Sequence, residues 1–159
     1  MTITVDTREQ PTKQAERRYA GFGVPWVREK LDFGEYSARF SLGNGNTLDL
    51  RDRVIVERKM SLDELCMCFG RERDRFCREF ERIAANGAKP YMLVEGASWE
   101  LIYAGKYRSQ LSPAALSASI LAWSARYNCC TLFCKAETSG RLIHDILYRE
   151  AKEILTQAD

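Results

Sequence analysis

The stretch "VIVERKMSLD", residues 54–63, decides the fold. Val54, Ile55 and Val56 are β-branched or apolar residues suited to a buried, pleated strand. They run straight into Glu57, Arg58 and Lys59. Side chains along a strand alternate faces, so Ile55, Glu57 and Lys59 share one face while Val56 and Arg58 share the other. Glu57 and Lys59 then stand roughly 7 Å apart along the strand. Ser61 and Glu64 have the spacing of a capping box, which starts a helix immediately after Lys59. Strands ordinarily end in turn residues; this one ends in an acid and two bases.

Working outward, residues 2–6 read as a short buried strand closing on Asp6. "QPTKQAERRYAGFG" (10–23) is a turn and short helix stopped by Gly21 and Gly23. Residues 24–59 hold three or four strands, with "GNGN" at 43–46 as a hairpin signal. Beyond the helix that begins at Ser61, Gly70 punctuates, and "RERDRFCREFERIAANG" reads as a second helix ending at Asn86-Gly87. "KPYMLVEG" is a strand. "SPAALSASILAWSARYN" is a helix with Ser112 as N-cap and Pro113 at its first position. "CCTLFCKA" is a strand, and 139–156 is the closing helix. Strands alternating with helices predict an α/β fold with a mixed central β-sheet flanked by helices. No repeat or linker interrupts 1–159, so a single domain is expected.

The length allows a full hydrophobic core. With 45% apolar and 29% charged residues the chain is neither disordered nor membrane-spanning. A net charge of +2 means that any nucleic-acid contact must come from local clustering. "MTITVDTREQ" has no basic and apolar leader, so a cytoplasmic protein away from the membrane is expected. The six cysteines include no CxxC pair, and His144 lies on a helix apart from them. Buried free thiols fit this better than a zinc site.

A lone Glu57–Lys59 pair would be an ion pair of small energetic weight if exposed. It gains chemical meaning if further carboxylates converge on it. Asp6, Glu9, Glu35 and Asp63 are the candidates. Hard oxygen ligands around Mg²⁺ or Mn²⁺, with a lysine to place water or balance developing charge, are what phosphodiester hydrolysis requires.

These segments together resemble the XPF-type nuclease domain shared by XPF and the Hef helicase-nucleases. "VDTRE" (5–9) is similar to the family's opening VDxRE strand, and the FGEY of "DFGEY" to its GDY element. "VERKMSLD" (56–63) resembles ERKxxxD. "GRERDRFCREFERI" (70–83) resembles the glycine-plus-RF helix that follows, and "YMLVEG" (91–96) the next strand. The resemblance implies a restriction-endonuclease-like core and a Mg²⁺- or Mn²⁺-dependent endonuclease acting on branched DNA or single-strand/double-strand junctions. It implies Glu35 and Glu57 as metal ligands with Asp6 beside them, Lys59 as the catalytic lysine, and Arg8, Glu9, Arg58 and Asp63 in support. Glu35 departs from the family's aspartate by one methylene but keeps a carboxylate. No helix-hairpin-helix segment is apparent in 1–159, so DNA grip would come from a partner or from the domain alone. The resemblance also implies homo- or heterodimerisation through the C-terminal half.

A helical wheel of 70–83 places Arg71, Arg75, Arg78 and Arg82 on one face and Phe76, Phe80 and Ile83 on the other. Such an arginine row can track a phosphate backbone; a solvated face carrying Glu72, Asp74, Glu79 and Glu81 is the bland alternative. Trp26, Trp99 and Trp123 read as core or interface residues. Tyr103, Tyr107 and Arg108 lie on a loop that reaches substrate or simply packs. Two rival functions stay open: a non-catalytic DNA-structure-binding subunit supporting an active partner, and an unrelated α/β protein with a structural Glu57–Lys59 pair.

Overall fold

The computed structural model describes residues 1–157. Seven strands form one mixed sheet in the order β2-β1-β3-β5-β6-β7, with β4 paired to β3, and helices flank it. The chain divides into two compact units, Met1–Val56 with the residues from Glu137 on, and Glu57–Ala136. Strand β5 (Val54–Lys59) runs from the first into the second.

In the first unit, β1 (Thr2–Val5) lies parallel to β2 (Trp26–Arg28) and antiparallel to β3 (Tyr36–Ser41), with Ile3 opposite Ala38 and Val5 opposite Tyr36. Because β1 is covered on both faces, Thr4 is buried along with Ile3 and Val5. The 43–46 turn joins β3 to β4 (Thr47–Asp49) as expected, closed by Leu42 N–H on the Asn46 carbonyl at 2.8 Å. Gly34 has φ +72°, and a Cβ there would lie 2.0 Å from Ile55 Cγ2, so only glycine lets the chain pass before β3. Helix α1 (Lys13–Ala20), capped by Thr12, meets α6 (Ala136–Gln157) at another glycine. A Cβ on Gly140 would come within 2.2 Å of the Arg18 carbonyl oxygen.

The second unit begins with Glu57–Lys59 of β5 and continues through α2 (Leu62–Phe69), α3 (Arg73–Ala85), β6 (Lys89–Glu95), α4 (Trp99–Tyr103), α5 (Pro113–Tyr127) and β7 (Cys130–Cys134). Strands β6 and β7 are parallel, Leu93 opposite Leu132. Phe69, Phe76, Phe80 and Tyr127 surround the fully buried Trp123, with ring centroids 4.8–6.2 Å from it. Truncating such an aromatic anchor costs about 3–5 kcal/mol. Ser61 caps α2 by accepting from Glu64 N–H at 3.2 Å; the Glu64 carboxylate reaches back to Met60 N–H at 2.6 Å, one residue beyond the usual capping-box donor.

Two helix starts differ from expectation, and one short helix is new. Helix α3 starts at Arg73, because Gly70 ends α2 and Arg73 N–H bonds to the Gly70 carbonyl in a turn. The short α4 was not foreseen, although Ser98 caps it through Leu101 N–H. Helix α6 begins three residues early. Cys66, Cys68 and Cys129 are buried thiols, while Cys77, Cys130 and Cys134 are only half-buried. Burial pushes the Cys68 thiol up to about 11 and Cys129 up to about 12. Trp26 is 40% exposed, unlike the core Trp123. Among the described residues, no helix is long and apolar enough to cross a membrane.

Candidate active site

The charged end of β5 has the expected alternation. Lys59 Nζ donates to Glu57 Oε1 at 2.6 Å, and both side chains are almost wholly buried, at 8% and 10% exposure. The lysine ammonium also sits over the Phe76 ring, 5.1 Å from its centroid. Arg58 points to the opposite face and pairs with Glu95 at 3.5 Å. Glu95, itself buried, closes β6 as Glu57 interrupts β5. It was missed from sequence, though an acid at the end of the apolar run "YMLVE" carries the same signal as "VIVE".

In the first unit the end of β1 and the approach to β3 are tied through the backbone. Asp6 N–H donates to the Glu35 carbonyl at 2.8 Å, and Glu35 N–H to the carbonyl of Val56 at 3.1 Å. Val56 is the residue immediately before Glu57 in the chain. The Asp6 carboxylate is buried and heavily engaged: Oδ1 accepts from Arg8 N–H at 2.8 Å and Arg8 Nε at 2.6 Å, and Oδ2 from Leu31 N–H at 2.7 Å. Burial alone would raise its pKa, but these donors and the Arg8 charge carry it below the ordinary carboxylate value. Glu9 pairs with Arg18 at 2.7 Å, both side chains nearly inaccessible, and Arg18 also donates to the Tyr36 hydroxyl at 3.0 Å. Arg18 was not singled out from sequence; its place on the buried stripe of α1 with Ala15 and Tyr19 was the available signal. Glu35 is half-buried.

Asp63, in the first turn of α2, accepts from Arg108 N–H at 2.7 Å and Ser109 N–H at 3.1 Å. It therefore staples the loop after α4 to the helix start. The Arg108 N–H is the leading cause that holds the Asp63 pKa below its usual value. Of the expected arginine row, Arg75, Arg78 and Arg82 lie exposed on α3, and Phe76, Phe80 and Ile83 are buried opposite them. Arg71 belongs to the turn before that helix, its guanidinium 3.7 Å from Met67 Sδ. Arg75 is paired with Glu72.

Among the described residues, no three His, Cys, Asp or Glu side chains form a ready cation cage. Mg²⁺ is commonly held by only one or two carboxylates together with water and substrate phosphate. The buried, hard-oxygen donor of Glu57 fits that chemistry.

The family model of the ERCC4 domain matches residues 5–146. The chain belongs to the ERCC4 domain family. Two solved structures carry the same fold. XPF from Aeropyrum pernix superposes with a TM-score of 0.67 at 21% identity, covering 99% of this chain and 68% of that one. XPF from Aeropyrum pernix in complex with DNA gives a TM-score of 0.67 at 20% identity, covering 96% of this chain and 65% of that one. The chain thus spans about two thirds of the length of these structures. Comparison with curated proteins gives no match. As an ERCC4 domain, the chain keeps "ERK" at 57–59 intact on β5 and carries Glu35 ahead of β3.

Proposed function

We propose that this ERCC4 domain is a metal-dependent DNA endonuclease acting on branched DNA or single-strand/double-strand junctions. The observation that carries the reading is the buried Glu57–Lys59 pair at 2.6 Å. Burying two charges costs several kcal/mol per ion before their attraction is counted, and a well-packed apolar pair is often as stable or more so. A fold under pressure for stability alone has little reason to keep these two charges inside.

By motif position, Glu57, Glu35 and Asp6 are the carboxylates that would hold Mg²⁺ or Mn²⁺. When bound, such an ion lowers the pKa of an attacking water and polarises the phosphate. Lys59 balances the charge that develops on the non-bridging oxygens, and its burial strengthens that interaction. Water adds to phosphorus, the P–O3′ bond breaks, and a proton passes to O3′, leaving a 5′-phosphate and a 3′-hydroxyl. Arg58, through Glu95, and Arg8, through Asp6, brace the strand ends. Arg75, Arg78 and Arg82, with Arg71 preceding them, would follow the DNA backbone. The exposed Leu121 on α5 is consistent with pairing of two ERCC4 domains through the C-terminal half.

The alternative is a DNA-structure-binding subunit without catalysis. It is favoured by one observation: three donors already engage the Asp6 carboxylate. Labelled flap, fork and four-way-junction DNAs, incubated with Mg²⁺ or Mn²⁺, separate the two. Cleavage that vanishes in both Glu57→Ala and Lys59→Ala supports the nuclease. Junction binding with no cleavage under either metal supports the alternative.

A further inference from the structure

An open groove of about 1030 Å³ lies in the second unit, along α2 and the loop that Asp63 staples. Its wall begins at Met60, the residue after Lys59, and continues through Met67, Arg71, Arg108, Gln110 and Leu111. We infer that this groove takes an unpaired deoxynucleotide of the substrate strand, and so selects single-stranded DNA beside the site at Lys59. The inference rests on the nuclease reading for its location, but not for its binding test.

Four observations point to this occupant. The groove presents exposed apolar surface, with Met60 56% and Met67 43% accessible. A duplex hides the flat faces of its bases in the stack, whereas an unpaired base offers them to protein. Methionine is unbranched and polarisable and adapts to different shapes, which suits a site that must accept any base. At the rim stand two guanidiniums that a strand phosphate can engage: Arg71, 3.7 Å from Met67 Sδ, and Arg108, whose side chain is 96% exposed and pairs with Asp63 at 3.4 Å. The acids of the groove are already engaged: Asp63 by the N–H groups of Arg108 and Ser109, Glu64 by Met60 N–H. Part of their hydrogen-bonding capacity is therefore turned to the backbone rather than to an incoming strand. The volume is at the upper end of the roughly 300–1,000 Å³ typical of ligand pockets, room enough for a whole nucleotide.

The test uses the full chain without divalent metal, a fluorescein-labelled oligothymidylate and a blunt duplex of equal length. Met67→Glu is expected to weaken oligothymidylate binding by about tenfold or more, since stacking and backbone contacts there are lost together. Its affinity for the blunt duplex is expected to stay within about twofold. Arg108→Ala, which keeps the backbone N–H used by Asp63, is expected to act in the same direction. Equal loss on both DNAs, or none, overturns the inference.

A second measurement needs no variant. Peroxide oxidation of Met60 and Met67 is followed by peptide mass spectrometry, with the fully buried Met92 as reference. Saturating oligothymidylate is expected to slow oxidation of Met60 and Met67 severalfold, and blunt duplex is not. Absence of protection, or equal protection by duplex, overturns the inference and leaves the groove to a protein partner. Selective protection in a chain that cleaves nothing with Mg²⁺ or Mn²⁺ supports the groove and removes the nuclease reading instead.

Discussion

Replacing Lys59 with Met keeps an unbranched stem of similar length over Phe76 but removes the ammonium that sits 2.6 Å from Glu57 Oε1. The Glu57 carboxylate, 10% exposed, is then left without that partner. Breaking one member out of a buried pair costs about 3–5 kcal/mol. The lower end applies here, because the edge of the pair still meets solvent. For a chain of this size a urea slope of about 2 kcal/mol/M is expected, so a loss of about 3 kcal/mol lowers the midpoint by about 1.5 M. The double variant Glu57→Gln/Lys59→Met removes both charges and is expected to recover at least half of the loss, a coupling of about 1.5 kcal/mol or more. Trp123, packed on Phe76, reports unfolding by fluorescence at equilibrium in urea. Stability and chemistry then come apart: the double variant is expected to regain stability and to remain unable to cleave. A single variant that loses less than about 0.5 kcal/mol, or a double variant whose loss equals the two single losses added, would refute the claim that these charges are held against a desolvation cost.

Asp6→Asn tests the carboxylate locked by Arg8 and Leu31. Its folded pKa lies below the ordinary 3.8, so its stabilisation is present above that value and is lost as pH falls through the folded pKa; the wild type should lose stability below about pH 4 in acid titrations, and the variant, weaker at neutral pH, should show less of that loss. Asp63→Ala should free the loop it staples, seen as faster trypsin cleavage after the exposed Arg108. Triple substitution of Arg75, Arg78 and Arg82 by Ala should lower DNA affinity and cut the slope of log K against log salt by roughly 2 to 3, if each meets one phosphate. An unchanged slope in a salt series would remove α3 from the interface.

How far the sequence is legible depends on whether a feature is local. The two-residue period of a strand places Glu57 and Lys59 on one face of β5, and Arg58 on the other, with no tertiary information. The Ser61 cap and the Pro113 start of α5 are equally local, and both are where the chain text puts them. Arg71 was misread as helical because Arg and Glu favour helices, so nothing in "RER" beyond Gly70 announces the turn that delays α3 to Arg73. What the sequence hides is partnership. Leu31 N–H reaches Asp6 across 25 positions, and Arg108 N–H reaches Asp63 across 45. Such donors come from the fold and leave no mark beside the residue they serve.

In three strands of this chain an apolar run meets an acid: Val5 precedes Asp6, Val56 precedes Glu57, and Val94 precedes Glu95. Each acid has a basic partner within two residues or across the sheet, but the partners differ in kind. Asp6 is held by Arg8 Nε, whose Nη2 in turn bonds the Leu31 and Gly34 carbonyls, and by two backbone N–H groups, and Glu95 by Arg58. Arginine in a fork or a buried pair is a fixed brace, whereas lysine is a compact charge on a flexible stem that can exchange one oxygen for another. The Glu57 carboxylate accepts instead from the Lys59 ammonium. Glu57 is thus the acid of the three whose recognised partner is a lysine. For the nuclease we propose, this sets the chemistry at β5 and the bracing at β1 and β6. A Lys59→Arg variant, which keeps the charge but replaces the compact ammonium with a fork, should retain much of the stability lost in Lys59→Met while failing to cleave.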